Sequence, residues 1–401
     1  MTSGREEIPD LPEVAEKWTK IAEQSNRVVQ AFWSRQAQEA APGEFHLIDP
    51  ISVARAYGEF TAEIMKDPMR LVEAQGNFMQ QSMALWDQTL KRMQGEEVGN
   101  LVEPDKGDRR FKDAAWDEDA LFNYLKQSYL LASRWTQGLV KDTEGLDPKT
   151  KEKVEFYTRQ FLSAASPSNF AFTNPQVLKK IQDTKGENLV KGLEHLLEDM
   201  EKGSGHLKIS MTDDTAFEVG KNVATTPGKV IYQNELMQLI QYTPSSEQVF
   251  KRPLLFVPPW INKYYVMDLQ PKNSLIKWAV DQGHTLFVVS WVNPRKELAH
   301  KTFEDYLLEG PLAALDAIEK ATGEKEINVL GFCIGGILMV ATLAYLAAKK
   351  DKRVKSATFL ATMVDLKDVG EVSVFVDEEA VENIEAHTSE KGYLEGHHMM
   401  D

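Results

Sequence analysis

The chain has 401 residues, of which 42% are hydrophobic and 9% aromatic, enough to build cores for two domains and to exclude disorder of the whole. Its 46 basic residues are outnumbered by 61 acidic ones, giving a net charge of −15 with no dense Lys/Arg block, so binding to nucleic-acid phosphates is excluded. The single cysteine excludes an intrachain disulfide framework and any cysteine-rich zinc site, and fits a reducing, cytoplasmic setting.

The first residues, MTSGREEIPDLPEV, are polar and acidic and lack the basic start and apolar run of a secretory signal. From about residue 14 to 206 apolar residues recur at three- and four-residue spacing, as in Val28, Val29, Phe32 and Trp33, which predicts a helical region. Breaks are expected at 41–43, at Asp67 and Pro68, at 105–107, at Asp147 and Pro148, and at Ser166 and Pro167. Asn174 followed by Pro175 reads as a cap and a first-turn proline opening a helix towards Lys180, and a further helix is expected over 187–200. Met65, Met69, Met79 and Met83 fall at helical spacing and read as core positions; the competing reading is a face that docks on a partner helix or on an apolar surface.

After Gly203 the pattern changes to short β-rich pieces at 230–232, 239–242 and 254–257. Helices are then expected near 273–282, over 303–322 and over 336–350, alternating with strands at 285–291, 327–330 and 355–361. Such alternation implies right-handed crossovers and a parallel, doubly wound sheet. The chain therefore reads as a helical domain, 1–210, followed by an α/β domain, 211–401. The longest apolar run, 337–348, is shorter than the roughly 20 residues a membrane span needs. The charged stretch 363–401 supplies no further strand, and the expectation is that the sheet is left incomplete there.

Gly331, Phe332, Cys333, Ile334 and Gly335 follow an apolar strand and precede an apolar helix, the setting of a nucleophile elbow. Such a turn strains the nucleophile's backbone and packs its neighbours so closely that glycine is needed on both sides, at 331 and 335. The helix beginning at Cys333 favours a thiolate and a developing oxyanion, with the backbone N–H of Ile334 as one donor. Without this context a lone cysteine reads as a small buried hydrophobe. A second donor is expected in the loop 258–269, whose aromatics either wall an acyl pocket or pack in the core. Asp268, near its end, is a candidate for orienting substrate or loop, or for capping the next turn.

The stretches FVPPWINKYY at 256–265, GHTLF at 283–287, SWVNP at 290–294 and LGFCIGG at 330–336 resemble the poly(3-hydroxyalkanoate) synthase family. FTNP at 172–175, AFEVG at 216–220 and TPG at 226–228 are similar to its N-terminal region, and FVDE at 375–378 and KGYLEG at 391–396 to the insertion that caps its active site, placed here near 363–401. The length and helical content of the first hundred residues resemble the single-subunit, class I type, which prefers short hydroxyacyl groups.

The resemblance implies an α/β-hydrolase-like catalytic domain and polymerisation of (R)-3-hydroxyacyl-CoA, such as 3-hydroxybutyryl-CoA, into polyester. CoA leaves as a product, so no bound cofactor or metal is needed. It further implies a cytoplasmic homodimer at polyester granules, among granule-associated proteins. The family's Asp and His lie on later strand ends than any found here, so the 401 residues alone are expected to be catalytically incompetent. His46, His195, His206, His284 and His300 precede the nucleophile and fit its base poorly. His387, His397 and His398 fall in the capping stretch and read as solvated, as does a His397, His398 and Asp401 cluster that might otherwise suggest a metal. Rival readings are another cysteine-dependent α/β-hydrolase or thioesterase, and a non-catalytic granule-binding fragment.

Overall fold

In the computed structural model, residues 50–203, 208–213, 215–394 and 396 are described. The helix signals at 14–49, the break at 41–43, His46, His206, and the His397, His398 and Asp401 group lie outside them. The chain divides into two compact units, one of residues up to Met211 together with Glu371–Asp377, the other of the remainder.

The first unit carries helices α1 (Pro50–Lys66), α2 (Pro68–Met93), α3 (Ala115–Glu118), α4 (Ala120–Asp142), α5 (Pro148–Ala164), α6 (Pro175–Asp183) and α7 (Glu187–Lys202). Their starts follow from capping chemistry. Asp147 accepts from the amides of Lys149 and Thr150 at 3.0 and 3.1 Å, with Pro148 next in line, where its missing N–H costs nothing. Asn174 and Pro175 do the same for α6. Leu85, Val102, Trp116, Leu130 and Leu131 form the main core between α2 and α4. Beside it the ammonium of Lys126 is buried and neutralised by Asp117.

The methionines overturn the core reading. Met65, Met69, Met79 and Met83 are 53 to 66% exposed. The residues that α2 turns towards α4 are instead Leu85 and Thr89, with Phe78 half-buried beside them. Periodicity had marked an apolar face correctly but could not say which of two faces is covered.

Segment 371–377 also departs from expectation, since it packs with α5 and not with the rest of the stretch 363–401. The Phe375 ring meets Phe156 edge-on with centroids 5.3 Å apart, and Lys153 Nζ lies 2.7 Å from Asp377. The remainder of that stretch contains a helix, α12 (Glu378–Lys391), which its charged composition concealed.

The second unit is built on a six-stranded sheet of order β1 (Gly228–Gln233), β2 (Met237–Tyr242), β6 (Leu286–Trp291), β3 (Leu254–Val257), β7 (Ile327–Phe332) and β8 (Val354–Leu360). β6, β3, β7 and β8 run parallel, as the alternation of strands and helices required, whereas β1 and β2 enter as an antiparallel hairpin. β4 (Asp268–Gln270) and β5 (Asn273–Ser274) form a separate small ladder. Successive side chains point to opposite faces. Leu255, Val257, Phe287 and Val289 therefore meet α10 (Ala313–Thr322) and α11 (Ile334–Ala348), while Phe256, Leu286 and Val288 meet α8 (Leu275–Asp281). Both faces of the central strands are covered, which is why they read as continuous apolar runs.

The expected single helix over 303–322 is instead α9 (Phe303–Leu307), a π-helical turn at Leu308–Leu312, and α10. The turn contains Gly310 and Pro311, and a Cβ at 310 would press on the Trp291 ring, 3.0 Å from its Cζ3. Among the described residues no helix is long and apolar enough to cross a membrane.

Candidate active site

β7 delivers Cys333 to the junction with α11, which starts at the very next residue. Cys333 has φ 53° and ψ −126°, a conformation that costs a non-glycine residue about 1–3 kcal/mol. Neighbouring structure holds it there. Its amide donates to the Leu360 carbonyl at 2.9 Å, prolonging the β7–β8 pairing, and its carbonyl accepts from the Gly336 and Ile337 amides at 2.9 and 3.2 Å. The Ile334 N–H heads the helix and has no acceptor within it. The thiol is half-buried, and among the described residues no side chain hydrogen-bonds it.

Three glycines make the turn possible. A Cβ on Gly331 would lie 2.6 Å from the Gly336 Cα. One on Gly335 would press on the carbonyls of Val257 and Pro258, 2.6 Å from the Pro258 oxygen. One on Gly336 would overlap the Thr362 side chain. The first two follow from the Gly-x-Cys-x-Gly spacing. Gly336 has no such signal, because the neighbour that demands it lies 26 residues on.

The close approach at Gly335 sets the mouth of loop 258–269 against the turn. Trp291 Nε1 donates to the Pro258 carbonyl at 2.8 Å, and the Trp260 ring packs on Tyr306 at 5.0 Å and edge-on to Trp291 at 6.1 Å. Trp260 and Tyr264 thus lean on the two cores, in keeping with the packing alternative, while Ile261 is exposed.

Asp268 lies at the far end of that loop and is 1% exposed. Its Oδ1 accepts from Ser274 Oγ at 2.6 Å and from Thr226 Oγ1 at 2.7 Å, while its own carbonyl accepts from the Ala224 amide at 2.8 Å. Ser274 in turn caps α8 through the Lys277 amide. The carboxylate therefore ties the segment before β1 to the start of α8. Burial pushes the neighbouring Tyr242 hydroxyl well above its ordinary range and raises that of Tyr264, and the Asp268 charge adds to both. Asp268→Ala would strand two hydroxyls, and we expect it to lower the unfolding free energy by about 2–4 kcal/mol in urea titration. A change within about 0.5 kcal/mol would show that these bonds contribute nothing net.

His195 sits exposed on α7 and His300 is exposed just before α9. His284 packs beside the Phe250 ring, tilted by 44°, with Nδ1 buried and without a partner among the described residues, and His387 lies on α12.

The strand order and the turn at Cys333 define an α/β-hydrolase-like protein. Residues 107–279 match the family described as poly-beta-hydroxybutyrate polymerase (PhaC) N-terminus. The chain is 50% identical over 335 residues to a poly(3-hydroxyalkanoate) polymerase of Methylorubrum extorquens, covering 84% of this chain and 55% of that one. It is 43% identical to the poly(3-hydroxyalkanoate) polymerase subunit PhaC of Rhizobium meliloti (strain 1021), covering 98% and 64%. The corresponding subunit of Cupriavidus necator is 40% identical, with 88% and 58% covered. The chain is thus a homologue of the poly(3-hydroxyalkanoate) polymerases over the residues they share. It spans between 55 and 64% of the length of these relatives. Among solved structures, a putative hydrolase from Agrobacterium vitis S4 overlaps 42% of this chain and 61% of its own, at 14% identity and a TM-score of 0.27.

Proposed function

We propose that this chain supplies the nucleophile and half of the oxyanion site for polymerising (R)-3-hydroxyacyl-CoA, with 3-hydroxybutyryl-CoA as the substrate, in the cytoplasm at the surface of polyester granules. The observation that carries the reading is the one cysteine of the chain held at positive φ between strand and helix, in a homologue of polyester polymerases. Cys333 Sγ, as thiolate, attacks the thioester carbonyl of the substrate. The C–S bond to CoA breaks, CoA leaves as a thiol after taking a proton, and the acyl group stays on Cys333. The 3-hydroxyl of a second acyl group then attacks the acyl-cysteine carbonyl, losing its proton to a base and forming the ester, while Sγ is released. One thioester replaces another in the first step, so little free energy is needed, which suits cysteine to CoA substrates.

Each tetrahedral oxyanion needs preorganised donors. The Ile334 N–H is the first. Pro258 and Pro259 have no N–H to offer, so the contribution of the opposing loop falls to the first amide after them, that of Trp260. Its ring is clamped by Trp291 and Tyr306, which holds the backbone in place.

The reading is tested by supplying 3-hydroxybutyryl-CoA and following both free thiol and the fate of the acyl group. For the 401 residues alone, an acyl group held on Cys333 with about one equivalent of free thiol is the expected result, and oligomeric or polymeric ester once the family's later Asp and His are joined to them. Stoichiometric free 3-hydroxybutyrate, with no ester bonds formed, would instead make the protein a thioesterase.

A further inference from the structure

The buried carbonyl of Pro258 is held from two sides. On one side is the first turn of α11, where a Cβ on Gly335 would stand 2.6 Å from this oxygen, so helix and loop meet with no side chain between them. On the other, Trp291 at the end of β6 donates its Nε1–H at 2.8 Å. Room for this indole comes at the expense of a helix. The π-helical turn Leu308–Leu312 carries Gly310 and Pro311, both unfavourable inside a helix, and a Cβ at 310 would press on the indole, 3.0 Å from its Cζ3. Tyr306 packs on the same ring with centroids 5.4 Å apart. Packing alone does not call for an interrupted helix, since a smaller apolar residue at 291 would fill the space beneath a continuous one. What the indole adds is its N–H, and that bond ends on Pro258. Interruptions of this π-helical kind recur at functional sites.

We infer that Trp291 is a positioning residue for acyl transfer, which sets the direction of the Trp260 amide through the Pro258 carbonyl. The inference rests on the oxyanion role proposed above for that amide. Peptide bonds are planar and a proline ring fixes φ near −65°. Pinning the Pro258 oxygen therefore sets the plane of the peptide between Pro258 and Pro259, and one soft torsion, ψ of Pro259, separates that plane from the Trp260 N–H. The Trp260 ring, wedged among Trp291, Phe303 and Tyr306, restrains this last torsion. Both proposed donors are thus referred to a single atom, because the Ile334 amide immediately precedes Gly335, which packs on the same carbonyl. Donors stabilise an oxyanion to the extent that they are held in place beforehand, and a displacement of about 1 Å costs on the order of a hundred-fold in rate. A phenylalanine at 291 keeps a ring against Tyr306 but leaves the Pro258 carbonyl without its donor.

The test compares two reactions of one sulfur in the whole chain. Cys333 is its single cysteine, so every thiol label reports on that residue. Acylation by 3-hydroxybutyryl-CoA passes through an oxyanion, whereas alkylation by iodoacetamide does not, although both use the same thiolate. Trp291→Phe should slow single-turnover acylation at saturating thioester by about 10- to 100-fold, with the half-saturating concentration changed by less than about threefold and the alkylation rate by less than about twofold. Trp291→His supplies the converse. Its five-membered ring places Nε2–H where the indole carries Nε1–H but omits the larger ring, so it should acylate at least about fivefold faster than Trp291→Phe while being no more stable in urea. Trp278→Phe, at a position 57% exposed on α8, controls for the loss of a tryptophan and should change neither rate. Equal acylation by the natural chain and Trp291→Phe overturns the inference and leaves the role of Cys333 standing. So does a parallel fall in acylation and alkylation, or slower acylation by the histidine variant than by the phenylalanine one, since either reduces Trp291 to packing. A natural chain that is not acylated at all overturns the proposed chemistry and this inference with it.

Discussion

Replacing Cys333 should separate activity from stability. Cys333→Ala is expected to abolish the single acylation and the CoA it releases, because nothing else at the turn replaces a covalent nucleophile. Cys333→Gly should be equally inactive yet more stable by up to about 1 kcal/mol, since glycine adopts φ 53° and ψ −126° without the penalty that a side chain meets. A cysteine serving only as packing would behave in the opposite way, losing stability when its side chain is deleted. Urea unfolding of the natural chain and both variants, beside a thiol assay, distinguishes the two. Destabilisation by glycine with turnover retained would remove Cys333 from the mechanism.

The second large effect concerns Gly335. Even Gly335→Ala places a carbon against the Val257 and Pro258 carbonyls, and backbone on both sides cannot yield without moving the end of β3 or the start of α11. A loss of about 3 kcal/mol or more, or failure to accumulate as folded protein, is expected. Gly76→Ala, on the open face of α2, provides the contrast: nothing lies within 4 Å, and alanine favours the helix by about 1 kcal/mol. Thermal unfolding of the two variants should therefore move in opposite directions. Equal stability of Gly335→Ala and the natural chain would mean that the turn at Cys333 is not built as described.

Much of this architecture was legible because it is locally encoded. Asp147 with Pro148 and Asn174 with Pro175 carry their caps within four residues. The turn at Cys333 is announced by glycines on either side between an apolar strand and an apolar helix. What escaped depends on distant partners. Asp268 acquires its place from Thr226, 42 residues away, and Gly336 from Thr362. The break at Gly310 exists because the Trp291 ring needs its space. Segment 371–377 joins the helical unit through Phe156 and Lys153, more than 200 residues earlier. The methionines of α2 show a different limit: a helix with two apolar stripes has two candidate inner faces, and only the position of α4 decides between them.

The central claim is that an acyl group passes through Cys333. Incubating the protein with 3-hydroxybutyryl-CoA, quenching in acid and mapping the added acyl mass by peptide mass spectrometry tests it most directly. The account predicts a hydroxybutyryl adduct on the peptide containing Cys333, removed by neutral hydroxylamine and absent from Cys333→Ala. An adduct on any other residue, or the same labelling in Cys333→Ala, would contradict it.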